Sequence, residues 1–225
     1  MNNISVIIPA FNEELYIEDT IKTIKNIDNL LEIIIVDDGS ADRTAEIASS
    51  CNVQVIRLRK NMGKGNALNI GCLQAKGQLL ALIDADLAHT AIEVNKLIKP
   101  VSMGEADMAI AAFPKVKRKA GLGLVKCLAN LGIWLFTKKP KLKAPLSGQR
   151  VINRKALSEI FPFAEGYGAE VIATIKALKK GLRVMEVETK MKHRETDRSI
   201  IGFKHRGKQF VHLSIALFKL LFTRS

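Results

Sequence analysis

The stretch Leu79-Leu80-Ala81-Leu82-Ile83-Asp84-Ala85-Asp86 determines how the rest of the chain is interpreted. Its apolar residues, 79–83, predict a strand that is buried on both faces, as strands of parallel sheets are. Because an unpaired carboxylate is costly to bury, the two aspartates that follow should lie at the carboxyl end of this strand. Ligands bind at that edge in open α/β sheets, and carboxylate oxygens suit Mg²⁺ or Mn²⁺. The alternative is that Asp84 or Asp86 only caps the next helix.

A second predicted strand, Glu32–Val36, also ends in carboxylates, in the sequence Asp37-Asp38-Gly39-Ser40. Further strands are predicted at Ile4–Ala10, Val53–Leu58, Met108–Ala112 and Arg183–Val187. Helical patterns separate most of them, the first running from Asn12 to about Ile27, and the connections are short. This order predicts an α/β fold with a doubly wound, mostly parallel sheet, in which two strands bring aspartates to the same edge.

Composition and charge exclude several classes of protein. With 225 residues of which 48% are hydrophobic, the chain can form a core and is not disordered. A net charge of +13 favours anionic partners, but the 12 aromatic residues are not interleaved with the basic runs, which argues against nucleic acid. The three cysteines form no Cys-x-x-Cys pair, so a zinc site is not expected. We expect the cysteines to be free thiols in a reducing cytoplasm. The first residues do not resemble a signal peptide.

Two apolar segments in the second half have basic surroundings. Residues 121–137 lie between lysine clusters and contain Trp134, which fits a helix in a membrane interface, and equally a core helix with solvated ends. A basic amphipathic helix is predicted at 203–222. Each helix has an apolar face that the sheet alone does not cover, and we therefore expect a homodimer.

Four motifs occur in a fixed order in the first half: Ile-Ile-Pro-Ala-Phe-Asn-Glu (7–13), Val-Asp-Asp-Gly-Ser (36–40), Asn-Met-Gly-Lys-Gly (61–65) and Asp-Ala-Asp (84–86). Together they resemble the nucleotide-sugar half of GT-A-fold glycosyltransferases of family 2. The sequence Pro-Phe-Ala-Glu-Gly-Tyr-Gly-Ala-Glu (162–170) and the later His193-Arg194 resemble glucosyl-3-phosphoglycerate synthases. Ser147-Gly148-Gln149-Arg150 is similar to the Ser-Gly-x-Arg of polyprenyl-phosphate glycosyltransferases of the dolichol-phosphate-mannose type. The chain is shorter than typical synthases and lacks the membrane helices that many polyprenyl enzymes carry.

The resemblance implies one GT-A domain: a Rossmann-like, mostly parallel twisted sheet flanked by helices, with C-terminal amphipathic helices. Residues 1–112 would form the nucleotide-sugar half and residues 113–225 the acceptor half. The implied activity is metal-dependent transfer of a sugar, with glucose expected, from a UDP-sugar to a phosphorylated acceptor. A 3-phosphoglycerate-like acceptor ranks ahead of polyprenyl phosphate. The former implies a cytoplasmic enzyme and the latter one docked on the inner face of the membrane. A non-catalytic nucleotide-binding or membrane-docking module is the alternative of another class.

Site residues follow from the same resemblance. Those implied to bind the nucleotide-sugar are Pro9, Ala10, Asn12, Glu13, Asp38, Lys64, Asp84 and Ala85. Asp86 and His193 would bind Mg²⁺ or Mn²⁺, and Glu170 and Asp86 would be catalytic. Those implied to bind the acceptor are Ser147, Gly148, Arg150, Tyr167, Arg194 and Arg198. The chemistry agrees, because a cation and a lysine stabilise a leaving diphosphate, and arginine forks bind phosphate with two hydrogen bonds.

Overall fold

The computed structural model describes residues 3–113, 122–164, 166–192, 211, 213–218 and 220. This part of the chain contains one sheet of seven strands. The strands are β1 (Ile4–Ala10), β2 (Leu30–Asp37), β3 (Gln54–Arg57), β4 (Leu79–Leu82), β5 (Met108–Ala112), β6 (Arg150–Asn153) and β7 (Val184–Glu188). Their order across the sheet is β3-β2-β1-β4-β6-β5-β7. All neighbours are parallel except β6, which runs antiparallel to both β4 and β5. The predicted mostly parallel α/β sheet is therefore confirmed.

The register of the sheet brings the two aspartate-ended strands to the same edge. Strand β1 pairs in parallel with β2 on one side, with Ala10 opposite Asp37. It pairs in parallel with β4 on the other side, with Ile7 opposite Leu82. The aspartates that follow β2 and β4 thus flank the carboxyl end of β1, as the sequence predicts.

Helices cover both faces of the sheet. They are α1 (Ile17–Ile24), α2 (Thr44–Ser50), α3 (Lys64–Gln74), α4 (Val94–Ser102), α5 (Leu122–Thr137), α6 (Arg154–Ile160) and α7 (Ala169–Lys179), with 3₁₀ helices at Ala88–Glu93 and Gly166–Gly168. One apolar cluster joins α1, α2 and α4 to the sheet, and a second joins α3, α6 and part of α7 to the opposite face. Successive strand residues point to opposite faces, so Ile8 lies in the first cluster and Ile7 in the second.

The first helix begins later than its sequence predicts. The predicted start was Asn12, whereas α1 begins at Ile17. Asn12 has a φ of 55°, in the left-handed region, and the backbone N–H of Glu13 donates to the hydroxyl of Thr44 at 2.8 Å. The motif residues before α1 are therefore held as a loop by contacts with the start of α2, and this loop lies at the ligand-binding edge.

Helix α5 is packed on one side and exposed on the other. Val125, Ala129 and Ile133 are buried against α7 and against Leu213 and Leu217. On the opposite side Leu124, Leu131, Trp134 and Leu135 are exposed. Of the helix predicted at 203–222, residues 211, 213–218 and 220 are described, and all of them are helical. Among the residues that the structure describes, no helix has the length and hydropathy needed to cross a bilayer.

A carboxylate clasp joins the ends of three strands opposite the ligand-binding edge. Asp107, just before β5, accepts hydrogen bonds from Asn153 at the end of β6 and from Arg183 just before β7. The Arg183 guanidinium binds both carboxylate oxygens, at 3.0 and 3.1 Å, and the Arg183 backbone N–H adds a bond of 2.9 Å. These hydrogen bonds with Arg183 hold the pKa of Asp107 well below its usual value.

Candidate active site

Asp84 lies at the centre of the site, where the chain leaves β4. Its carboxylate accepts a hydrogen bond of 2.5 Å from the ammonium of Lys64 and one of 2.7 Å from the side-chain amide of Gln149. The Gln149 carbonyl oxygen in turn accepts the backbone N–H of Asp84 at 2.9 Å. Gln149 is fully buried, so these two hydrogen bonds hold Asp84 from the interior of the protein. The sequence assigns no role to Gln149, although the residue lies inside the Ser-Gly-Gln-Arg stretch.

Lys64 connects the two halves of the chain. It is the first residue of α3, after Gly63, whose φ of 89° favours glycine. Its ammonium lies 2.5 Å from Asp84 Oδ1 and 3.4 Å from Glu170 Oε1. Burial lowers the pKa of Lys64, but the charges of Asp84 and Glu170 outweigh it and leave the pKa above its usual value. Lys64 is therefore a fixed cation among carboxylates, with 33% of its side chain exposed.

Gly148 borders the same cation. A Cβ atom added to Gly148 would overlap Lys64 Nζ, and it would lie 3.4 Å from each carboxylate oxygen of Asp84. The space that the ammonium occupies is therefore available because residue 148 has no side chain.

Asp38, predicted to bind the base or ribose, organises the loop that leads to Lys64. Its two carboxylate oxygens accept the backbone N–H groups of Met62 and Gly63, at 2.7 and 2.8 Å. The Gly63 N–H, next to Lys64, thus donates to Asp38. Asp38 is 3% exposed, and its contact with a nucleotide stays a prediction.

Thr20 of α1 fixes the turn that contains Ala85 and Asp86. Its buried hydroxyl donates to the carbonyl oxygen of Ala85 at 2.7 Å and accepts the backbone N–H of Ala88 at 2.8 Å. Ala88 has a φ of 46°, so the turn has a sharp reversal directly after the aspartates. Sequence reasoning had assigned Thr20 only to a helix, because its partner lies 65 residues away.

The loop after β1 carries the other residues predicted to bind the nucleotide-sugar. The side chain of Ala10 is buried in the core, as is that of Ala85, so each offers only its backbone to a ligand. Pro9 lies in β1 opposite Val36. The Asn12 backbone N–H donates to the hydroxyl of Ser40, and its side-chain oxygen accepts the N–H of Ala41, both at 2.9 Å. These bonds join the two loops that follow β1 and β2.

The predicted acceptor residues are only partly brought together. Arg150 is 1% exposed, so its guanidinium lies within the protein and not at the surface that an acceptor phosphate would reach. It donates to the carbonyl oxygen of Ser147 and to the hydroxyl of Thr174 in α7, at 3.0 and 2.9 Å. Burial lowers the pKa of Arg150 to about 10, and the charge of Glu170 opposes this. Arg150 is therefore bonded to the middle of α7, through Thr174, whose hydroxyl also donates to the carbonyl oxygen of Glu170 in the first turn.

Several predictions fall outside the described residues: those for His193, Arg194 and Arg198 and for the side chain of Tyr167, which belongs to the 3₁₀ helix Gly166–Gly168. The chain leading to His193 is described. The backbone N–H of Lys192 donates to the hydroxyl of Thr90 at 3.1 Å, and that of Lys190 to Glu93 at 2.7 Å. Lys192 is thus held against the 3₁₀ helix that follows Asp86.

The residues at this edge fit a divalent cation that is bound together with a phosphate ligand. Within the described part of the chain, no group of three or more histidine, cysteine, aspartate or glutamate side chains could hold a metal by itself. Asp84 and Asp86 are both partly exposed, and the turn that carries them is held by the hydrogen bond from the buried Thr20 hydroxyl to the Ala85 carbonyl oxygen. Mg²⁺ is commonly bound through one or two carboxylates and the oxygens of substrate phosphates. This edge supplies the carboxylates, and a bound nucleotide would supply the phosphate oxygens.

Comparison with known proteins agrees with this geometry. The sequence model described as "Glycosyl transferase family 2" matches residues 5–161. An uncharacterized protein of Methanocaldococcus jannaschii is 35% identical over 217 residues, covering 90% of this chain and 89% of that protein. The dolichol-phosphate mannosyltransferase of Pyrococcus furiosus is 38% identical over 202 residues, covering 82% of this chain and 55% of the relative, so the chain spans about half of that enzyme.

Solved structures give the same result for the fold. Glucosyl-3-phosphoglycerate synthase from Mycobacterium tuberculosis, in complex with Mn²⁺, UDP-glucose and phosphoglyceric acid, aligns with a TM-score of 0.78 at 26% identity. The alignment covers 96% of this chain and 79% of the synthase. Another structure of that synthase contains Mg²⁺ and UDP. From its matched motifs, its GT-A sheet and these relatives, the chain belongs to glycosyl transferase family 2 and is a glycosyltransferase.

Proposed function

We propose that this glycosyltransferase moves glucose from UDP-glucose to a small phosphorylated acceptor of the 3-phosphoglycerate type. The observation that carries the proposal is the contact of Lys64 with both Asp84 and Glu170. It joins the carboxyl end of β4, where the resemblance implies the donor diphosphate, to the first turn of α7, in the half implied to bind the acceptor. The synthase structures with UDP-glucose and phosphoglyceric acid support this choice of donor and acceptor.

The transfer breaks the bond between glucose C1 and the diphosphate, which leaves with the bonding electron pair, and forms a bond from C1 to an acceptor oxygen, whose proton passes to Glu170 as the candidate base. In this proposal Lys64 meets the negative charge that develops on the diphosphate, and Glu170 faces the sugar or the acceptor. Asp86 and His193 would hold Mg²⁺ or Mn²⁺, whose charge stabilises the departing diphosphate when it is bound. Asp84, held by Gln149, keeps Lys64 in place.

Calorimetric titration with UDP, with and without Mn²⁺, tests the donor half of this proposal. We expect binding that requires the metal and that is weakened about 10-fold or more by Asp86→Ala, since a metal ligand is lost. Asp28→Ala, at an exposed turn residue distant in sequence from the motifs, is the matched control. Metal-independent binding, or equal binding by Asp86→Ala, contradicts the assignment.

A second candidate acceptor is polyprenyl phosphate at an anionic membrane. The specific observation is a set of exposed apolar side chains on two helices, Leu124, Leu131, Trp134 and Leu135 on α5 and Val211, Ile215 and Phe218 on the C-terminal helix. We call the four residues of α5 the α5 apolar surface. It is followed by four exposed lysines, Lys138, Lys139, Lys141 and Lys143, of which Lys138 lies over the Trp134 ring at 4.4 Å. Apolar side chains next to lysines suit anionic lipid headgroups. A second copy of the chain, the predicted homodimer, is the competing occupant.

Incubation with Mn²⁺ and radiolabelled UDP-glucose separates the two acceptors. One arm contains 3-phosphoglycerate and the other polyprenyl phosphate, and the products are partitioned between water and butanol. We expect label in an anionic aqueous product in the first arm. Label that enters butanol only with polyprenyl phosphate reverses the ranking, and label in neither product contradicts both acceptors.

A further inference from the structure

Residue 148 has a contact that the family assignment does not explain. The Gly148 backbone is not in the left-handed region, so the chain does not need glycine here for its φ angle. The space beside its Cα is needed instead, because an added Cβ would overlap the ammonium of Lys64. The same ammonium contacts two carboxylates of the site, those of Asp84 and Glu170.

We propose that Gly148 is a positioning residue: by lacking a side chain it leaves the space in which the ammonium of Lys64 meets Asp84 and Glu170 and faces the donor diphosphate. The part of this inference that concerns the diphosphate rests on the proposed function. Gly148 was expected to bind the acceptor, and here it acts on the donor side through Lys64. Its neighbour Gln149 fixes the other partner, Asp84, with two hydrogen bonds. The two residues before β6 thus position both members of the Lys64–Asp84 pair, Gly148 by leaving space for the ammonium and Gln149 by bonding the carboxylate.

A substitution at Gly148 should change the site without unfolding the protein. The atom that a new methyl group would meet is the end of a flexible lysine side chain, which can turn away at low cost. The Asp84 oxygens, at 3.4 Å, are at ordinary contact distance. Gly148→Ala should therefore displace the ammonium and leave the backbone as it is. Gly123→Ala is the matched control, because no atom lies within 4 Å of a Cβ added there.

The first readout needs no ligand. The amine of Lys64 is protected from acylation by its ion pairs, and release from them should expose it. With Gly148→Ala we expect Lys64 to be acylated about 10-fold faster in a limited-labelling experiment read by mass spectrometry, with the other lysines as internal reference. Gly123→Ala should leave the rate unchanged. An unchanged Lys64 rate in Gly148→Ala overturns the proposal, whatever the protein binds.

The second readout is UDP affinity in the presence of Mn²⁺. We expect Gly148→Ala and Lys64→Met each to weaken UDP binding about 10-fold, and the double variant to lose no more than either, because both changes remove the same cation. Additive losses, or UDP affinity equal to that of the wild type, overturn the positioning role. If the wild type itself binds no UDP, the proposed function fails, and the labelling rate alone decides whether Gly148 seats Lys64.

Discussion

At the scale of single residues, the site consists of side chains that hold one another as well as any ligand. Asp84 is held by Gln149 and Lys64, and Asp38 is held by the backbone of Met62 and Gly63. Arg150 is buried and bonds to Thr174 beneath Glu170. Hydrogen-bonded networks of this kind keep charged groups in one geometry, so that little reorganisation is needed when charge develops during the reaction. The residues that position the site are then as informative as those expected to touch the substrate.

Thr20 gives a prediction at this scale. Thr20→Val keeps the shape of the side chain but leaves the Ala85 carbonyl and the Ala88 N–H without their buried partner. We expect a loss of about 2 kcal/mol in the free energy of unfolding and weaker metal-dependent UDP binding, because the aspartate turn loosens. Thermal denaturation and titration with UDP and Mn²⁺ measure the two effects.

Thr23→Val is the control, since the Thr23 hydroxyl donates within α1, to the carbonyl oxygen of Asp19. If both variants behave alike, the role assigned to Thr20 is wrong.

At the scale of elements, α5 and the C-terminal helix form a layer of their own on α7. Their inner sides share the third apolar cluster, while positions 124, 131 and 135 recur at helical spacing on the outer side. The sequence left open whether α5 is a core helix or an interface helix. In the structure α5 has both a buried side and an exposed apolar side. The exposed side is therefore available to a lipid surface or to a second copy of the chain.

The α5 apolar surface leads to a prediction about lipid. The double substitution Leu131→Glu and Leu135→Glu should abolish co-sedimentation with anionic phospholipid vesicles, because both side chains are about half exposed and charge opposes insertion. The fold should survive, since exposed positions tolerate substitution.

Leu73→Glu on α3, where the leucine is 69% exposed, is the matched control and should sediment like the wild type. No sedimentation of the wild type, together with a dimeric mass by light scattering, would assign this surface to a second copy of the chain.

At the scale of the whole molecule, Asp107 links three strands across the junction of the two halves. Asp107→Asn should lower the free energy of unfolding at pH 7 by about 2 to 3 kcal/mol, because the bonds of a charged acceptor to Arg183 are lost. The pKa of Asp107 lies below its usual 3.8 in the folded protein. Its stabilising effect is therefore complete above that value and is lost as the pH falls from 3.8 towards the lower folded pKa.

Denaturant unfolding between pH 7 and pH 2.5 checks this dependence. The difference between the wild type and Asp107→Asn should shrink over that acidic range. A constant difference would mean that the charge of Asp107 does not contribute to the free energy of unfolding, and that the variant is destabilised by changed packing or hydrogen-bond geometry instead. Asp28→Asn, at an exposed residue, should unfold like the wild type throughout.

Much of this architecture is predictable from the sequence. Uninterrupted apolar runs such as Leu79–Ile83 predict the parallel strands, and aspartates directly after them predict the edge that carries the site. What escapes prediction depends on distant partners. The start of α1 is set by Thr44, the aspartate turn by Thr20, and the burial of Arg150 by its place beneath α7. The pairing of β6 between β4 and β5 is likewise a long-range choice that local periodicity does not encode.

That pairing has a consequence for the order in which the protein can be completed during synthesis. Strand β5 leaves the ribosome before β6, yet β4 and β5 do not touch each other in the sheet, since β6 lies between them. The edge that carries the aspartates is therefore unfinished when the Asp-Ala-Asp motif has emerged. It also lacks Gln149, which immediately precedes β6 and holds Asp84. A nascent chain that pauses before residue 149 exposes the unpaired edge of β4 and lacks the hydrogen bonds of Gln149 to Asp84, so residues late in the chain complete an edge that its first motifs begin.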